Sequence, residues 1–241
     1  MGRKTVGKIK LLLFSALTAL LFLIAASHSA DTVFSGSAAA SAAYLPDAEE
    51  PAGDAAEQKK IAISFDDGPH PTYTEQLLDG LKKRGVKATF FVTGEHAALH
   101  PDVIRRMSGE GHLIGNHTYS HIQLNTSNRE QFRKELLQTN EVITGITGEE
   151  VLYVRPPYGS WDKALEEELN MFPVLWTVDP LDWCSSNVSR IVRSVVEDVE
   201  ENDIILMHDY YDTSVTAALE IVDELLAEGY TFVTVDEILF D

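Results

Sequence analysis

Between residues 61 and 235 the apolar positions come in short bursts, each set off by a polar break from stretches with helical spacing. The bursts are rich in β-branched and aromatic residues: Ile61–Phe65, Ala88–Val92, His112–Gly115, Leu152–Val154, Val174–Val178, Ile204–Met207 and Thr231–Val235. Runs of this length and content predict buried strands. The stretches between them repeat their apolar residues every three or four positions. Thr74–Arg84 carries Leu77, Leu78 and Leu81, and Arg129–Ile143 carries Phe132, Leu136, Leu137 and Ile143. Asn187–Glu200 and Val215–Glu228 follow the same pattern, which predicts amphipathic helices. Gly85, Gly111 and Gly229 stand where helices should stop, each shortly before a strand.

Strands alternating with helices imply a parallel sheet buried on both faces. Seven such units fit a closed or nearly closed barrel of TIM type, one unit short, or an open doubly wound sheet; periodicity does not separate them. In both, function gathers beyond the C-terminal ends of the strands. Polar groups fall there repeatedly: Asp66 and Asp67, His117 and His121, Arg155 through Tyr158, Asp179 and Asp182, and His208. Five strand ends with reactive groups on one rim point to an active site.

The head of the chain follows a different pattern. Arg3, Lys4, Lys8 and Lys10 precede an apolar run from Leu11 to Ala26, and small residues continue to Ala30. Residues 1–30 therefore read as a secretory signal or, if uncleaved, a membrane anchor. Residues 31–60, rich in Ala, Ser, Asp and Glu, read as a flexible linker, leaving 61–241 as the single catalytic domain. The expected location is secreted or membrane-anchored with that domain outside the cell. Cys184, the one cysteine, forms no internal disulfide, so the fold stands without cross-links.

Composition is ordinary for a globular chain of 241 residues, at 44% hydrophobic and 24% charged. Charge is not: Lys+Arg 19 against Asp+Glu 38 leaves −19 and excludes a nucleic-acid partner, which wants a basic face.

The rim residues carry specific chemistry. His117-Thr-Tyr-Ser-His121 puts two imidazoles four residues apart, on one face if the segment turns helically. Two imidazoles and a carboxylate make a three-ligand site with an open position, which suits catalytic zinc. The adjacent Asp66 and Asp67 cannot both point the same way from an extended chain, so one can ligate while the other acts as base. Taken alone, Asp-Asp-Gly-Pro is a turn and His-x-x-x-His a pair of loop histidines. Arg155 can pair with Asp66 and aim it, and the amide N–H of Tyr158 follows two prolines that supply no donor. His208 ends an apolar strand; a carboxylate partner in Asp182 would favour its charged, proton-donating form.

Together, Ser64-Phe-Asp66-Asp67-Gly68-Pro69, His117-Thr-Tyr-Ser-His121, Arg155-Pro-Pro-Tyr158, Asp179-Pro-Leu-Asp182-Trp183 and Leu206-Met-His208 resemble the five ordered motifs of the polysaccharide deacetylases. This is the NodB-homology family, carbohydrate esterase family 4. The resemblance runs from about Ile61 to the C-terminus, with Ser64 where Thr is commoner. It implies a distorted (β/α)7 barrel holding one zinc ion, with cobalt or another divalent metal able to substitute. It implies Asp67, His117 and His121 as ligands, Asp66 as base, Arg155 as its orienter, and His208 as acid tuned by Asp182. Tyr158, Trp183, Leu206 and Pro157 would line the substrate slot, with Asp179 in support. The implied reaction removes N-acetyl groups from N-acetylglucosamine units of peptidoglycan or a chitin-like polymer, and in some members O-acetyl groups from xylan. A monomer acting on a polysaccharide is the expected state.

Other readings are weaker. His70, His96, His100 and His112 match no ligand pattern and read as loop, surface or strand residues. Cys184 reads as a small buried hydrophobe, and the absence of G-x-S-x-G removes the usual serine esterase. Two histidines and a carboxylate also serve non-haem iron oxygenases, but no co-substrate site is evident. A carbohydrate-binding relic would have little reason to keep Asp66, Arg155 and His208 together.

Overall fold

The computed structural model describes residues 59–240. The proposed signal segment and all but the last two residues of the proposed linker lie outside these. Among the described residues no helix is long and apolar enough to cross a membrane. Lys59 and Lys60, read as linker, open the first strand.

Seven parallel strands form one curled sheet: β1 (Lys59–Asp66), β2 (Thr89–Val92), β3 (Leu113–Asn116), β4 (Tyr153–Val154), β5 (Phe172–Pro173), β6 (Ile204–His208) and β7 (Tyr230–Val233). Their order is β5-β4-β3-β2-β1-β6, with β7 paired to β1. β7 takes the first half of β1, from Lys59 to Ala62, and β2 the last, from Ser64 to Asp66. The helices are α1 (Tyr73–Arg84), α2 (Gly94–Leu99), α3 (Pro101–Gly109), α4 (Arg129–Thr147), α5 (Lys163–Leu169), α6 (Val188–Val196), α7 (Asp212–Ala227) and α8 (Val235–Leu239). This is the distorted (β/α) barrel expected from the sequence.

The fifth strand departs from expectation. The ladder covers Phe172–Pro173 rather than Val174–Val178, although the predicted run still bridges the barrel. Val174 N–H donates to Val154 O on the β4 side, whereas Thr177 and Val178 donate to Ile204 O, and Val178 bridges Ile205 of β6. One segment thus leaves one edge of the open sheet and reaches the other. Its middle carbonyls, Val174 O and Leu175 O, accept from Arg155 instead of a strand.

Strand alternation sorts the side chains. Ile61, Ile63 and Phe65 of β1 pack outward with Leu77, Leu78 and Leu81 of α1 and Ile221 and Leu225 of α7. Ala62, Phe91, Val174, Ile204 and Val235 form a separate cluster inside. Each buried Val, Leu, Ile or Phe among these contributes roughly 1.5–3 kcal/mol by leaving water. Ser64 and Asp66 share the inner face with Ala62, as Leu206 and His208 share it with Ile204, and the register sets Ser64 beside Leu206 and Asp66 beside His208. Inner positions therefore change from apolar to polar along the strand direction, and the polar ends are the site.

α1 shows how the loops are fixed. Glu75 lies in its first turn and Lys82, Lys83 and Arg84 in its last, matching the helix dipole. Gly85, left-handed at φ 68°, ends it with its N–H on Leu81 O and Lys82 O.

Candidate active site

β1 ends on Asp66, which is 4% exposed, and the chain then breaks sharply. Asp67 takes φ 74°, and a cis Gly68–Pro69 peptide follows. The left-handed residue lets two adjacent carboxylates meet over one rim, which an extended chain would forbid. His117 Nε2 lies 3.4 Å from Asp67 Oδ1 and 3.8 Å from Asp66 Oδ2.

The two histidines follow β3 in a loop, not on a helix. Thr118 and His121 are both left-handed, at φ 62° and 58°, and that turn brings their rings to 4.9 Å. Asn116, the last residue of β3, accepts from Thr118 N–H and donates to Leu136 O and Asn140 Oδ1. Gly94 and Glu95 N–H cap Thr118 O and Tyr119 O, and Ser120 bonds Glu135. The loop is held along nearly its whole length.

Asp67, His117 and His121 offer ligand atoms that all lie within 4.8 Å of one another. Asp67 Oδ1 is buried and has no hydrogen-bond partner, 3.3 Å from His121 Nε2. A buried acceptor left unbonded costs free energy, and a cation among these atoms would satisfy it. His117 Nδ1–H donates to Arg155 O at 2.6 Å, which turns the Nε2 lone pair inward as a ligand requires. Burial pushes the Asp67 carboxyl up, but the neighbouring imidazole of His117, with those of His121 and His208, brings it to about 2. Burial drives His121 down. An ionised Asp67 carboxylate beside the His121 imidazole, which burial inclines to be neutral, fits a divalent metal.

Arg155 has no exposed surface. Its Nη1 donates to Asp66 Oδ1 at 2.9 Å and Ser64 Oγ at 2.8 Å, and Ser64 in turn donates to Ile205 O. Nε and Nη2 reach Val174 O and Leu175 O, and the guanidinium lies over Phe91 at 4.2 Å. Burial lowers its pKa while Asp66 opposes that; a guanidinium stays charged throughout.

Across the site, His208 Nδ1–H donates to Asp182 Oδ1 at 2.8 Å, and His208 N–H to Asp182 Oδ2 at 2.9 Å. Burial pushes the imidazole down, but the Asp182 bond and charge, then Asp66 and Asp67, raise it to about 9. Neutral pH finds it protonated.

The remaining expected residues are less uniform. Leu206 and Pro157 are buried beneath the rim, while Tyr158 and Trp183 are 67% and 56% exposed on it. Tyr158 takes φ 59° and sets its ring edge-on to His121 at 5.1 Å. Asp179 is exposed and accepts from Leu181 N–H, shaping the turn that delivers Asp182. Cys184 is exposed, against the expectation of burial, because it sits in the short 3-10 turn Asp182–Cys184 with Sγ toward Leu181 O.

Two neighbours were not foreseen. His96, in an unpredicted helix, has Nδ1–H on Asp67 O at 2.8 Å. Asp209 is fully buried behind the turn, and burial raises it to about 7. Neither carries a local signal: His96 bonds the Asp67 carbonyl and stacks on Tyr210, and the Asp209 carboxyl lies against Gly68 and accepts from Thr74 Oγ1.

Comparison with known proteins adds to this geometry. A family model described as polysaccharide deacetylase matches residues 53–174. The peptidoglycan-N-acetylmuramic acid deacetylase PdaC of Bacillus subtilis is 41% identical over 181 residues, 75% of this chain and 39% of that protein. This chain thus spans about two fifths of that relative's length. A peptidoglycan-N-acetylglucosamine deacetylase of Bacillus cereus is 38% identical over 190 residues, 76% of this chain and 89% of the relative. A solved structure of B. subtilis PdaC superposes with a TM-score of 0.73 at 41% identity, covering 76% of this chain and 91% of the other.

Proposed function

Since the chain belongs to the polysaccharide deacetylase family, we propose that it hydrolyses N-acetyl groups from amino-sugar units of peptidoglycan or a chitin-like polymer outside the cell. The observation that carries this is the partnerless Asp67 Oδ1 between two histidines, flanked by an arginine-held carboxylate and a carboxylate-held imidazolium. Residues 61–241 act as the catalytic domain. The segment 1–30 serves for export or anchoring, 31–60 serves as the linker, and the protein works as a monomer.

Asp67, His117 and His121 would hold one divalent ion, with zinc suited to the donor set and cobalt a substitute. Such an ion polarises the acetyl carbonyl and acidifies a neighbouring water. Asp66, aimed by Arg155, takes a proton from water as its oxygen attacks the carbonyl carbon. The Tyr158 amide N–H donates to the oxygen that gains charge. His208, held by Asp182, gives its proton to the nitrogen as the C–N bond breaks, releasing the amine and acetate. An amine leaves poorly unless protonated, so the high His208 pKa suits this step. Trp183 and Leu206 line the slot for the acetyl methyl, Pro157 adds to the substrate slot, and Asp179 supports the turn bearing Asp182 and Trp183.

Relatives named for N-acetylmuramic acid and for N-acetylglucosamine leave two sugar units to separate. Acetate release should be measured with the zinc-loaded protein on peptidoglycan, chitin oligomers and acetylxylan. Release from an amino-sugar polymer is expected, with Asp66→Asn losing turnover and keeping its zinc. Zinc loss in that variant would exchange the roles of the two aspartates. Glycan binding without acetate release from any polymer would overturn the hydrolase reading.

A further inference from the structure

The dipeptide after His208 touches nothing that the proposed chemistry uses directly, yet it braces the turn on which Asp67 sits. We infer that Asp209 and Tyr210 are positioning residues that hold Asp67 in its metal-binding conformation, an inference that rests on the metal-site reading above.

Asp67 is left-handed, a conformation uncommon for residues with a side chain though less so for Asp, and its surroundings hold it there. Three contacts do so. First, the Asp209 carboxyl lies against Gly68: a Cβ built there would meet Oδ2, Oδ1 and Cγ at 2.3, 2.4 and 2.7 Å. Gly68 is not left-handed, so its lack of a side chain answers to this approach, not to backbone strain. Second, Asp209 Oδ2 accepts from Thr74 Oγ1, which itself accepts from His70 N–H at 2.8 Å. The far side of the turn is thereby tied to the same carboxyl. Third, the Tyr210 ring stacks on His96 at 5.1 Å and 21°, and meets His70 edge-on at 5.0 Å. His96 is the ring whose Nδ1–H holds the Asp67 carbonyl. Thr93 N–H on Gly68 O completes the support.

Both braces come from the residues that directly follow His208. The strand end that carries the proton donor therefore also sets the metal ligand, which fixes the separation of the two across the reacting bond. Neither residue touches substrate in this scheme; they act through Gly68 and His96.

Zinc affinity of the full protein, measured by competition with a chromophoric chelator, tests this, with melting of the metal-free protein alongside. Asp209→Ala and Tyr210→Ala should each weaken zinc roughly 10–100-fold, as loss of supporting contacts does, while the metal-free protein still melts cooperatively. Asp209→Asn keeps the outline and the acceptor for Thr74, and should stay within about threefold of wild type. Gly68→Ala should bind poorly, but Gly68→Ala combined with Asp209→Ala should bind no worse than Asp209→Ala alone, because the methyl takes the vacated space. Wild-type affinity in both alanine variants overturns the inference, as does an Asn variant as weak as Ala or an additive double variant. Wild-type protein that takes up no zinc would instead defeat the metal-site reading itself.

Discussion

Raising the pH from about 7 to about 9 should destabilise the metal-free protein chiefly through His208, and the size follows from its surroundings. The imidazole moves from its ordinary 6.5 to about 9 on folding, burial being outweighed by Asp182 with help from Asp66 and Asp67. A pKa raised by folding contributes stability that is fully present below 6.5 and is lost as pH rises through about 9. A shift of about 2.5 units corresponds to about 3 kcal/mol in total, of which about 2 kcal/mol disappears between about pH 7 and pH 9. The side chain is 12% exposed and its partner fully buried, so screening by solvent takes little away. Urea unfolding with chelator present, run across that range, gives the stability directly. His208→Gln should flatten the slope, and Asp182→Asn should remove most of it. In the zinc-loaded enzyme, Asp182→Asn should bring the alkaline limb of kcat down by about one to two pH units, since the proton donor loses its carboxylate. Parallel stability curves for wild type and His208→Gln would refute the reasoning.

Arg155→Lys should cost about 2–4 kcal/mol, because one ammonium cannot serve Asp66, Ser64, Val174 O and Leu175 O from a buried position. An unchanged urea midpoint would disprove it. Gly115→Ala should cost about 1–3 kcal/mol by overpacking, since its Cβ would lie 2.4 Å from the Phe91 ring and 3.2 Å from Tyr153 O. The Phe91 ring lies beneath the Arg155 guanidinium, so kcat should fall too. Wild-type melting and kcat in that variant would show that the ring is free to move aside.

Strands were legible wherever they are written as uninterrupted apolar runs, as at Ile61–Phe65 and Ile204–Met207. Two of the short helices were not. Gly94–Leu99 and Lys163–Leu169 are too brief for a period to establish itself, whereas Pro101–Gly109 carries one in Val103, Ile104 and Met107 and a readable start signal in Pro101. His117 and His121 were found by a spacing that suggests a helix, yet two left-handed residues bring them together instead. The motif survives because the ligand set depends on where the rings meet, not on the path between. His96 and Asp209 were unreadable for the opposite reason. His96 bonds the Asp67 carbonyl and Asp209 lies against Gly68, and neither a backbone oxygen nor a residue without a side chain marks its partner in the sequence.

The misread fifth strand belongs to the same account. Val174–Val178 has the apolar content of a strand and the position of one, yet it forms no continuous ladder. A guanidinium with no exposed surface must find acceptors within the barrel, and Asp66 and Ser64 satisfy only Nη1. The other donors take Val174 O and Leu175 O, carbonyls that a regular strand would have spent on its neighbour. Pairing with β4 therefore stops at Val174 and pairing with β6 resumes at Thr177. The barrel is irregular at the place where Arg155 draws on it, so the distortion is a consequence of orienting Asp66. On that view, Arg155→Lys frees two carbonyls together with a carboxylate, and its loss of stability should exceed what the Asp66 pair alone would give.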